Sequence, residues 1–440
     1  MKLHASSNKN KDKLLHELYA VNPRAIWQTF IQESWAFKWL CIYFVFEYVR
    51  PASIYPAIDI LPWTQLLLLF AILTAFYDKT LKFTFGFGGV LLVILLGIVL
   101  LSSLFSFRPA LSWGKIDIVI NWVLVYFLVV TVINSRRRLV VFLLLFLLIN
   151  FKMSLHGFTS FASRGFSYTK WGVVGPPGWF GDSGDFGIAM VVFSAIVISF
   201  VIALKHQWGK YKKILFYFVV VTGLITIVGT SSRGAQLGVV AMGVWFLLKS
   251  KNGIKGLLVV LAVACLLYYV LPEEMFSEYK SAGHDGTSQD RLAHWSFGID
   301  VIADHPVLGI GYENWLAYCN HINPYGLGQG HAERCRLPHN TYITAGAELG
   351  IPGLLVYIWI STYIFYINAK TRKRLVNINE PLLYNLTQGL DAGLIGYHVA
   401  SIFFTVLFYP MLWVNLSLAV AIYNIAAQAE MHKHKTPVRL

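Results

Sequence analysis

The sequence contains an uninterrupted apolar stretch at residues 86–105, GFGGVLLVILLGIVLLSSLF. A helix that crosses the hydrocarbon core of a bilayer needs about 20 predominantly apolar residues. This stretch has that length and no charged side chain, so it predicts a transmembrane helix. Comparable runs recur along the 440 residues and predict about twelve transmembrane helices, at 36–50, 61–77, 86–105, 116–133, 139–156, 186–204, 214–230, 234–248, 254–271, 341–368, 385–403 and 405–428.

The composition places the whole chain in a membrane. Apolar residues make up 56% of it, charged residues only 13%, and the mean hydropathy is +0.58. Soluble domains carry about 25% charged residues, so a soluble enzyme and a disordered chain are both excluded. Four cysteines in 440 residues cannot form a disulfide scaffold. We therefore predict an all-α polytopic membrane protein.

The formal net charge of +14 is explained mostly by membrane orientation. Sixteen lysines and arginines lie in five alternate short loops, at 78–82, 135–138, 205–213, 249–255 and 370–374. The opposite loops hold ten over a much longer stretch. Because basic loops stay in the cytoplasm, we expect both termini there. Nucleic acid is not needed as a partner to explain any of this charge, and the lipid bilayer is the expected surrounding.

Two segments on the non-cytoplasmic side are too large to be simple turns. Residues 157–184 are rich in glycine, proline and aromatic residues, and residues 272–338 hold most of the external charge. Long loops tend to carry function, so we expect the activity on this face. The predicted organisation is a cytoplasmic or interfacial segment 1–35, helices 1–9 over 36–271, the large loop 272–338, helices 10–12 over 339–428 and a cytoplasmic tail 429–440.

The first candidate site is the turn GTSSRG at 229–234, between two predicted helices. Ser231 or Ser232 can cap the helix that begins near Gly234, and the N–H groups of a helix start favour an anion. Arg233 adds a charged planar fork that suits phosphate oxygens. No acidic residue lies within fifteen positions of it. An interfacial arginine that extends to lipid head groups is an equal alternative.

Two further motifs lie in the large loop. QDRLAHW at 289–295 belongs to a predicted helix 289–304, on which Arg291 either pairs with a neighbouring carboxylate or faces an anion. DHPVLGIGYENW at 304–315 has two glycines but no third in register and no preceding strand, so it is not a dinucleotide fingerprint. We interpret it as a tight turn that leads to a second loop helix.

The last candidate is LPHNTY at 337–342, where the large loop returns to the bilayer. Pro338 suits the first turn of a helix, which would place His339 on that turn and facing the external side. A neutral imidazole there can accept a proton from a hydroxyl near pH 7. A capping or purely structural histidine is the alternative.

Metal ligands are present only in loose patterns. Asp182 and Asp185 offer oxygen ligands, and five histidines are scattered through the large loop, but none has the spacing of a tight site. The two aspartates fit a Gly-rich turn or hydrogen bonds to sugar hydroxyls better, so we expect no metal and no cofactor. Cys319 and Cys335 share the external loop, where a disulfide between them is plausible.

Taken in order, these motifs resemble one family. SSRG at 231–234, Arg291-x3-Trp295, DHPVLGIG at 304–311 and His339-Asn340-x9-Gly350-x2-Gly353 resemble the O-antigen ligase and polymerase superfamily of bacterial membrane proteins. The resemblance in motif covers residues 229–365, and the rest of the chain is similar only in topology. EYVRP at 47–51 and the segment 179–185 resemble its O-glycosylation ligase branch.

The resemblance implies a GT-C type fold in the bacterial inner membrane, with the active site on the periplasmic side. It also implies metal-independent transfer of a glycan from undecaprenyl diphosphate to an acceptor hydroxyl. Arg233 and Arg291 would bind the diphosphate, and His339 would be the general base. We expect inversion, because no carboxylate nucleophile is indicated. As supporting residues we add Asn340, Ser232, Trp295, Asp182 and Asp185.

Several functions fit these expectations. A glycan ligase that acts on lipid A-core or another envelope acceptor is the leading hypothesis. A polymerase and a protein O-oligosaccharyltransferase use the same donor chemistry, so the sequence leaves them open. A polytopic transporter is the alternative outside enzymes, and it would predict charged residues near the membrane midplane. The predicted spans hold few, with Asp117 and Asp391 as the main candidates.

Overall fold

The computed structural model describes residues 13–167, 171–250, 253, 286–327, 335–376, 378 and 380–435. Every regular element in this part of the chain is a helix, and it contains no β-strand. The predicted all-α class is therefore confirmed. The ninth predicted membrane helix, 254–271, lies outside the described residues, as does part of the large loop.

We label the helices of eight or more residues in chain order. They are α1 Pro23–Gln32, α2 Trp35–Val49, α3 Trp63–Tyr77, α4 Gly86–Leu104, α5 Ile116–Val132, α6 Arg136–Ser163, α7 Ser183–Leu204, α8 Lys210–Gly229, α9 Arg233–Lys249, α10 Gly286–Asp304, α11 Trp315–Ile322, α12 Thr341–Leu375, α13 Pro381–Ala400 and α14 Pro410–Lys435. Helix α1 lies within the segment 1–35 that was predicted as cytoplasmic or interfacial, and the two predicted loop helices are α10 and α11. Both loop helices are thus confirmed.

Seven helical stretches of the described chain are long and apolar enough to cross a membrane. They are Gly86–Leu104, Pro109–Val132, Arg136–Ser163, Ser183–Gln207, Lys210–Gly229, Thr341–Leu375 and Pro410–Met431. All seven coincide with predicted spans. Helices α2 and α3 have 15 residues each and α9 has 17, fewer than the roughly 20 needed to cross. The total of twelve stays a prediction.

Helix α7 lies at the centre of the bundle and is buried along nearly its whole length. Glycines bring α13 against it, since a methyl group added at Gly389 would lie 2.3 Å from Ser199 Oγ. Helix α9 approaches α13 in the same way, because a methyl group at Gly238 would lie 2.7 Å from the Gly396 carbonyl oxygen. Small residues let membrane helices approach closely. The three helices are therefore fixed relative to one another.

A buried ion pair accounts for the charge in α13. Asp391 accepts hydrogen bonds from Asn368 Nδ2 at 2.8 Å and from Arg372 NH1 at 2.7 Å. An ionisable residue within a membrane helix suggests a transport or proton pathway by default. Here its two donors lie on the neighbouring helix α12, so Asp391 fastens two helices together. The pair gives this aspartate a structural role, so its presence in the helix is explained without a transported ion.

The 304–315 motif packs against a break in α12. At Gly350 the backbone has φ +70° and ψ −179°, which interrupts the helix. Ile310 N donates to Ala347 O at 2.8 Å on one side of the break, and Ile351 N donates to Pro306 O at 2.8 Å on the other. The break supplies backbone groups that a continuous helix would use internally. The motif is therefore a docking turn, as its interpretation as a tight turn predicted.

Candidate functional site

Three helices begin close together at one end of the bundle. The starts of α7, α9 and α12 all contact the segment 401–409, which joins α13 to α14. A methyl group at Gly184 would lie 1.9 Å from the Phe404 ring, and one at Gly234 would lie 2.7 Å from it. Thr341 Oγ1 donates to Phe404 O at 2.7 Å. Helix starts carry partial positive charge, so their convergence favours an anionic group at this end.

Asp182, Ser232 and Asn340 cap these three helix starts. Their side-chain oxygens accept backbone N–H groups at 2.8, 3.3 and 3.0 Å respectively. A serine cap at 231 or 232 was predicted, and it is confirmed at Ser232. Asp182 fixes its Gly-rich turn, which was one of the two roles considered for it. Loss of such a cap costs about 1 kcal/mol, so these residues hold the ends of the helices that form the site.

His339 precedes α12, so the predicted helix start at Pro338 is wrong. The helix begins at Thr341, and Asn340 Oδ1 accepts the N–H groups of the second and third helical residues. Because Asn340 caps the helix, the residue before it does not need helical backbone angles. His339 instead adopts the left-handed region with φ +48°, which is uncommon for a residue with a Cβ atom. The imidazole is therefore presented from a sharp bend and not from a helix face.

The surroundings of His339 keep its imidazole neutral. The pKa of His339 is lowered to about 4, chiefly by burial and next by the positive charge of Arg291, while Asp182 opposes both. At pH 7 the ring therefore has an available nitrogen lone pair, as a general base needs. Arg291 and Asp182 were both predicted site residues, and the fold brings them to His339 from positions more than forty residues away.

His294 holds the chain that leads into His339. This imidazole is 1% exposed, its Nδ1 lies 2.6 Å from Asp290 O, and its Nε2 accepts from Arg336 N at 3.0 Å. Because the Arg336 N–H is the donor, Nε2 is unprotonated and Nδ1 carries the proton. Both ring nitrogens are thus used in structure. Sequence analysis missed this role, since nothing in the motif distinguished His294 from other loop histidines.

Two tryptophans hold the same segment from its other sides. Trp295 Nε1 donates to Pro338 O at 2.8 Å, and Trp315 Nε1 donates to Arg336 O at 2.8 Å. The Trp295 ring also packs on Phe403, with 6.3 Å between the ring centroids. Trp295 therefore positions the residue next to His339, which gives this predicted supporting residue a specific contact. Trp315 was missed because its partner lies beyond the end of its own helix.

Cys319 and Cys335 form a disulfide, as was considered from the sequence. It ties α11 to the start of the segment 335–338. His294 lies near both sulfur atoms, and the three residues are the one histidine–cysteine group in the described chain with a spacing that could suit a metal ion. The disulfide takes both thiolates and hydrogen bonds take both imidazole nitrogens. The donor atoms of this group therefore do not fit a metal.

The two predicted arginines lie on different helices. Arg291 lies on α10 and acts electrostatically on His339. Arg233 is the first residue of α9, and the adjacent Gly234 contacts Phe403, the ring on which Trp295 packs. Helices α9 and α10 thus meet at this ring. The carboxylate next to Arg291, that of Asp290, lies 3.8 Å from Arg336 NH1.

Asp185 lies on the first turn of α7, three residues after the Asp182 cap. Its carboxylate is hydrogen-bonded to Tyr409. Asp182 caps the helix and is among the charges that act on His339. The first turn of α7 therefore links Tyr409 to the surroundings of His339.

Glu348 is a residue that the sequence analysis missed. It is buried in α12, and its carboxylate accepts from Glu313 N and Trp315 N, both at 3.1 Å. It thereby caps the turn that leads into α11. The signal available in the sequence was an acidic residue within a predicted span, two positions before Gly350. Glu348 thus fastens the loop to α12 near the site.

These features define a polytopic helical membrane protein whose candidate site gathers two arginines and a neutral histidine at converging helix starts. A family model described as O-antigen ligase matches residues 218–358. The matched range contains Arg233, Arg291 and His339, and it confirms the predicted resemblance to the O-antigen ligase superfamily. The match supports a membrane glycosyltransferase of the ligase or polymerase type. No curated protein matches the chain.

Proposed function

We propose that this protein transfers a glycan from undecaprenyl diphosphate to an acceptor hydroxyl at the His339 site. The observation that carries the proposal is the neutral imidazole of His339 beside the Arg291 charge, within the range that matches the O-antigen ligase model. A base and a cation side by side suit a reaction in which a hydroxyl loses a proton and an anion departs.

Arg291 and Arg233 would bind the diphosphate of the donor. Arginine binds phosphate oxygens through two parallel N–H groups, and the starts of α7, α9 and α12 add partial positive charge. This charge stabilises the negative charge that develops on the diphosphate as it leaves. The proposed reaction therefore needs no metal ion for that purpose.

The chemical step is a single displacement. His339 takes the proton of the acceptor hydroxyl, the acceptor oxygen forms a bond to the anomeric carbon, and the bond from that carbon to the diphosphate oxygen breaks. The diphosphate leaves with the electron pair. Attack opposite the leaving group inverts the anomeric carbon, since no enzyme carboxylate takes part in a first displacement. The bound diphosphate also offsets the Arg291 charge, which makes His339 more basic once the donor is present.

The acceptor that we favour is lipid A-core or another envelope glycan. A lipid-linked repeat, as in a polymerase, and an exported protein would be activated by the same base. For the location, we propose the bacterial inner membrane with both termini in the cytoplasm and the site on the periplasmic side. Asp182, Ser232, Arg291 and His339 all lie at the end of the bundle opposite the basic loops, which supports this orientation.

The function is tested by measuring glycan transfer by the purified protein. The donor is a lipid-diphosphate glycan, and the acceptors are a mixture of lipid A-core, lipid-linked glycan and peptide. We expect transfer in excess chelator and a loss of at least about 100-fold in His339→Ala, in line with the usual contribution of a general base. His321→Ala is the matched control, because His321 is an exposed histidine of the same loop. Undiminished transfer by His339→Ala, or its collapse with chelator, would refute the mechanism. Liposome translocation without transfer would favour the transporter.

A further inference from the structure

A polar cavity lies at the same end of the bundle as the His339 site, with Tyr409 of the segment 401–409 in its lining. It has a volume of about 290 Å³ and is formed by the end of α2, the starts of α3 and α5, the turn at 178–179 and Tyr409. Ligand cavities in proteins start at about 300 Å³, so a space of this size suits one small polar group or sugar ring. All of its walls belong to segments that the charge pattern predicts on the periplasmic side.

One wall of this cavity is preorganised by contacts between distant parts of the chain. Trp179 Nε1 donates to Glu47 Oε1 at 2.5 Å, and the Arg50 guanidinium lies 5.7 Å from the centre of the Trp179 ring. Gly178 has φ +100°, and a methyl group there would lie 2.0 Å from Arg50 NH1. Only glycine fits this approach. The wall is thus already formed without a ligand.

Two further aromatic rings line the cavity next to Trp179. Trp122 Nε1 donates to Phe408 O at 2.7 Å, which fixes its ring, and the ring centroids of Trp122 and Trp179 are 6.1 Å apart. Tyr409 packs edge-on to Trp179 at 5.1 Å. The N–H or O–H group of each ring is already hydrogen-bonded within the protein, so the rings present their apolar faces. They suit a ligand with C–H groups on one face and hydroxyls at its edges.

The charges that line the cavity balance. Arg50 and Lys115 are positive, Glu47 and Asp117 are negative, and the uncharged amides of Gln65 and Asn121 complete the polar wall. A cavity for a phosphate would carry an excess of positive charge. A balanced set of donors and acceptors instead suits a neutral molecule with many hydroxyl groups. Balanced polarity together with two tryptophan rings describes a saccharide site.

The start of α7 links the cavity to the surroundings of His339. Tyr409, which lines the cavity, is hydrogen-bonded to Asp185 on the first turn of α7. Asp182, which caps the same helix, acts electrostatically on His339. The first turn of α7 thus contacts the cavity lining through Asp185 and acts on His339 through Asp182. Arg291 acts on the same imidazole from α10.

We propose that this cavity binds a neutral sugar of the acceptor and so directs the acceptor hydroxyl to His339. The assignment of this sugar to the acceptor rests on the proposed glycan transfer, whereas its assignment as a saccharide rests on the cavity alone. The donor diphosphate requires an excess of positive charge, which this cavity with its balanced charges lacks, and the proposed base must face the acceptor. The sugar thus occupies a site separate from the one proposed for the diphosphate.

The first arm of the test measures saccharide binding without any donor. The probe is an equimolar mixture of the methyl glycosides of glucose, galactose, mannose and a heptose, titrated while tryptophan fluorescence is recorded. We expect saturable quenching, weakened at least fivefold in Asn121→Leu. Asn385→Leu, at the far end of the bundle, is the matched control and should bind as the natural protein does. Absence of saturable quenching, or equal quenching in both variants, overturns the saccharide site.

The second arm measures transfer by the same variants. In Asn121→Leu and Gln65→Leu we expect the KM for the acceptor to rise at least fivefold, with the KM for the donor and kcat within twofold of the natural protein. A rise confined to the donor KM overturns the acceptor assignment. If the natural protein transfers no glycan, the proposed function fails, and the first arm still decides the saccharide site. Unchanged melting temperatures exclude misfolding as the cause.

Discussion

His339 owes its chemistry to its immediate surroundings. Two features distinguish it from an ordinary surface histidine, namely its left-handed backbone and its burial beside Arg291. The bend presents the ring just before α12, and the cap at Asn340 fixes the bend. His294, by contrast, is more deeply buried and has both nitrogens engaged. Burial alone does not make a base, because a base also needs a nitrogen that no backbone group uses.

The lowered pKa of His339 predicts the acid limb of the pH profile. Since burial favours the neutral ring, the base is available above about pH 4. The kcat/KM of the free protein should therefore stay level from roughly pH 7.5 down to 5.5 and fall as the pH approaches 4. Folding stability should also fall as the pH drops from 6.5 towards 4, because the unfolded state binds the proton more tightly.

Replacing Arg291 tests whether the surroundings of His339 lower its pKa below that of an ordinary histidine. Arg291→Gln removes a charge that lowers the pKa of His339, so the acid limb should move to higher pH while the overall rate falls. Arg336→Gln is the control, because Arg336 contributes least among the charges named for His339. An acid limb at pH 6.5 in the natural protein, as for an exposed histidine, would contradict the proposed environment.

Helix α12 organises the site through three of its features. It begins at the Asn340 cap, offers Glu348 to the turn before α11, and breaks at Gly350 to receive the 304–315 motif. The break lies within three turns of His339. The large loop is therefore anchored on the same helix whose start presents the candidate base, which couples the position of α10 and Arg291 to His339.

Gly350→Ala should destabilise the protein. Gly350 has φ +70°, and an added methyl group would lie 2.5 Å from Val307 O. Strained backbone of this kind costs about 1–3 kcal/mol, so the melting temperature in detergent should fall. Gly97→Ala is the matched control, because nothing lies within 4 Å of its added methyl group and alanine favours helix. Equal melting temperatures for the two variants would show that the break is not required.

The basic residues of the protein are distributed unequally between the two ends of the helix bundle. Basic residues concentrate in five short loops, and the candidate site lies at the other end of the bundle with a smaller basic set that includes Arg233 and Arg291. The net charge of +14 thus describes orientation far more than ligand binding. Glycine contacts among α7, α9 and α13 hold the site's helix starts in one arrangement across the bilayer.

Cysteine labelling tests the predicted orientation. Tyr211 and Tyr325 are 87% and 90% exposed and lie on loops predicted to face opposite sides. In a chain whose Cys41 and Cys265 are replaced by alanine, Tyr325→Cys should react with a membrane-impermeant maleimide added to cells with a permeabilised outer membrane. Tyr211→Cys should react only after the inner membrane is opened. The reverse pattern would contradict the orientation and place the candidate site in the cytoplasm.

Much of this architecture follows from local sequence patterns. Apolar runs predicted the membrane helices, 3.6-residue spacing predicted α10, and the serine pair predicted the cap at Ser232. These features depend on residues near one another in the chain. The order of the motifs likewise indicated the O-antigen ligase superfamily, because each motif carries its own residues. Local patterns therefore determined the class of protein and its candidate residues.

Only the tertiary structure decided how those residues work. The bend at His339, the engagement of both His294 nitrogens and the contact of Trp179 with Glu47 all join segments distant in sequence. No periodicity encodes such contacts, because they depend on which helix ends the packing of the bundle brings together. The sequence by itself thus determined a membrane protein with two arginines and a histidine to consider. The packed helices decided which imidazole stays available and where a sugar-sized cavity opens at the same end of the bundle.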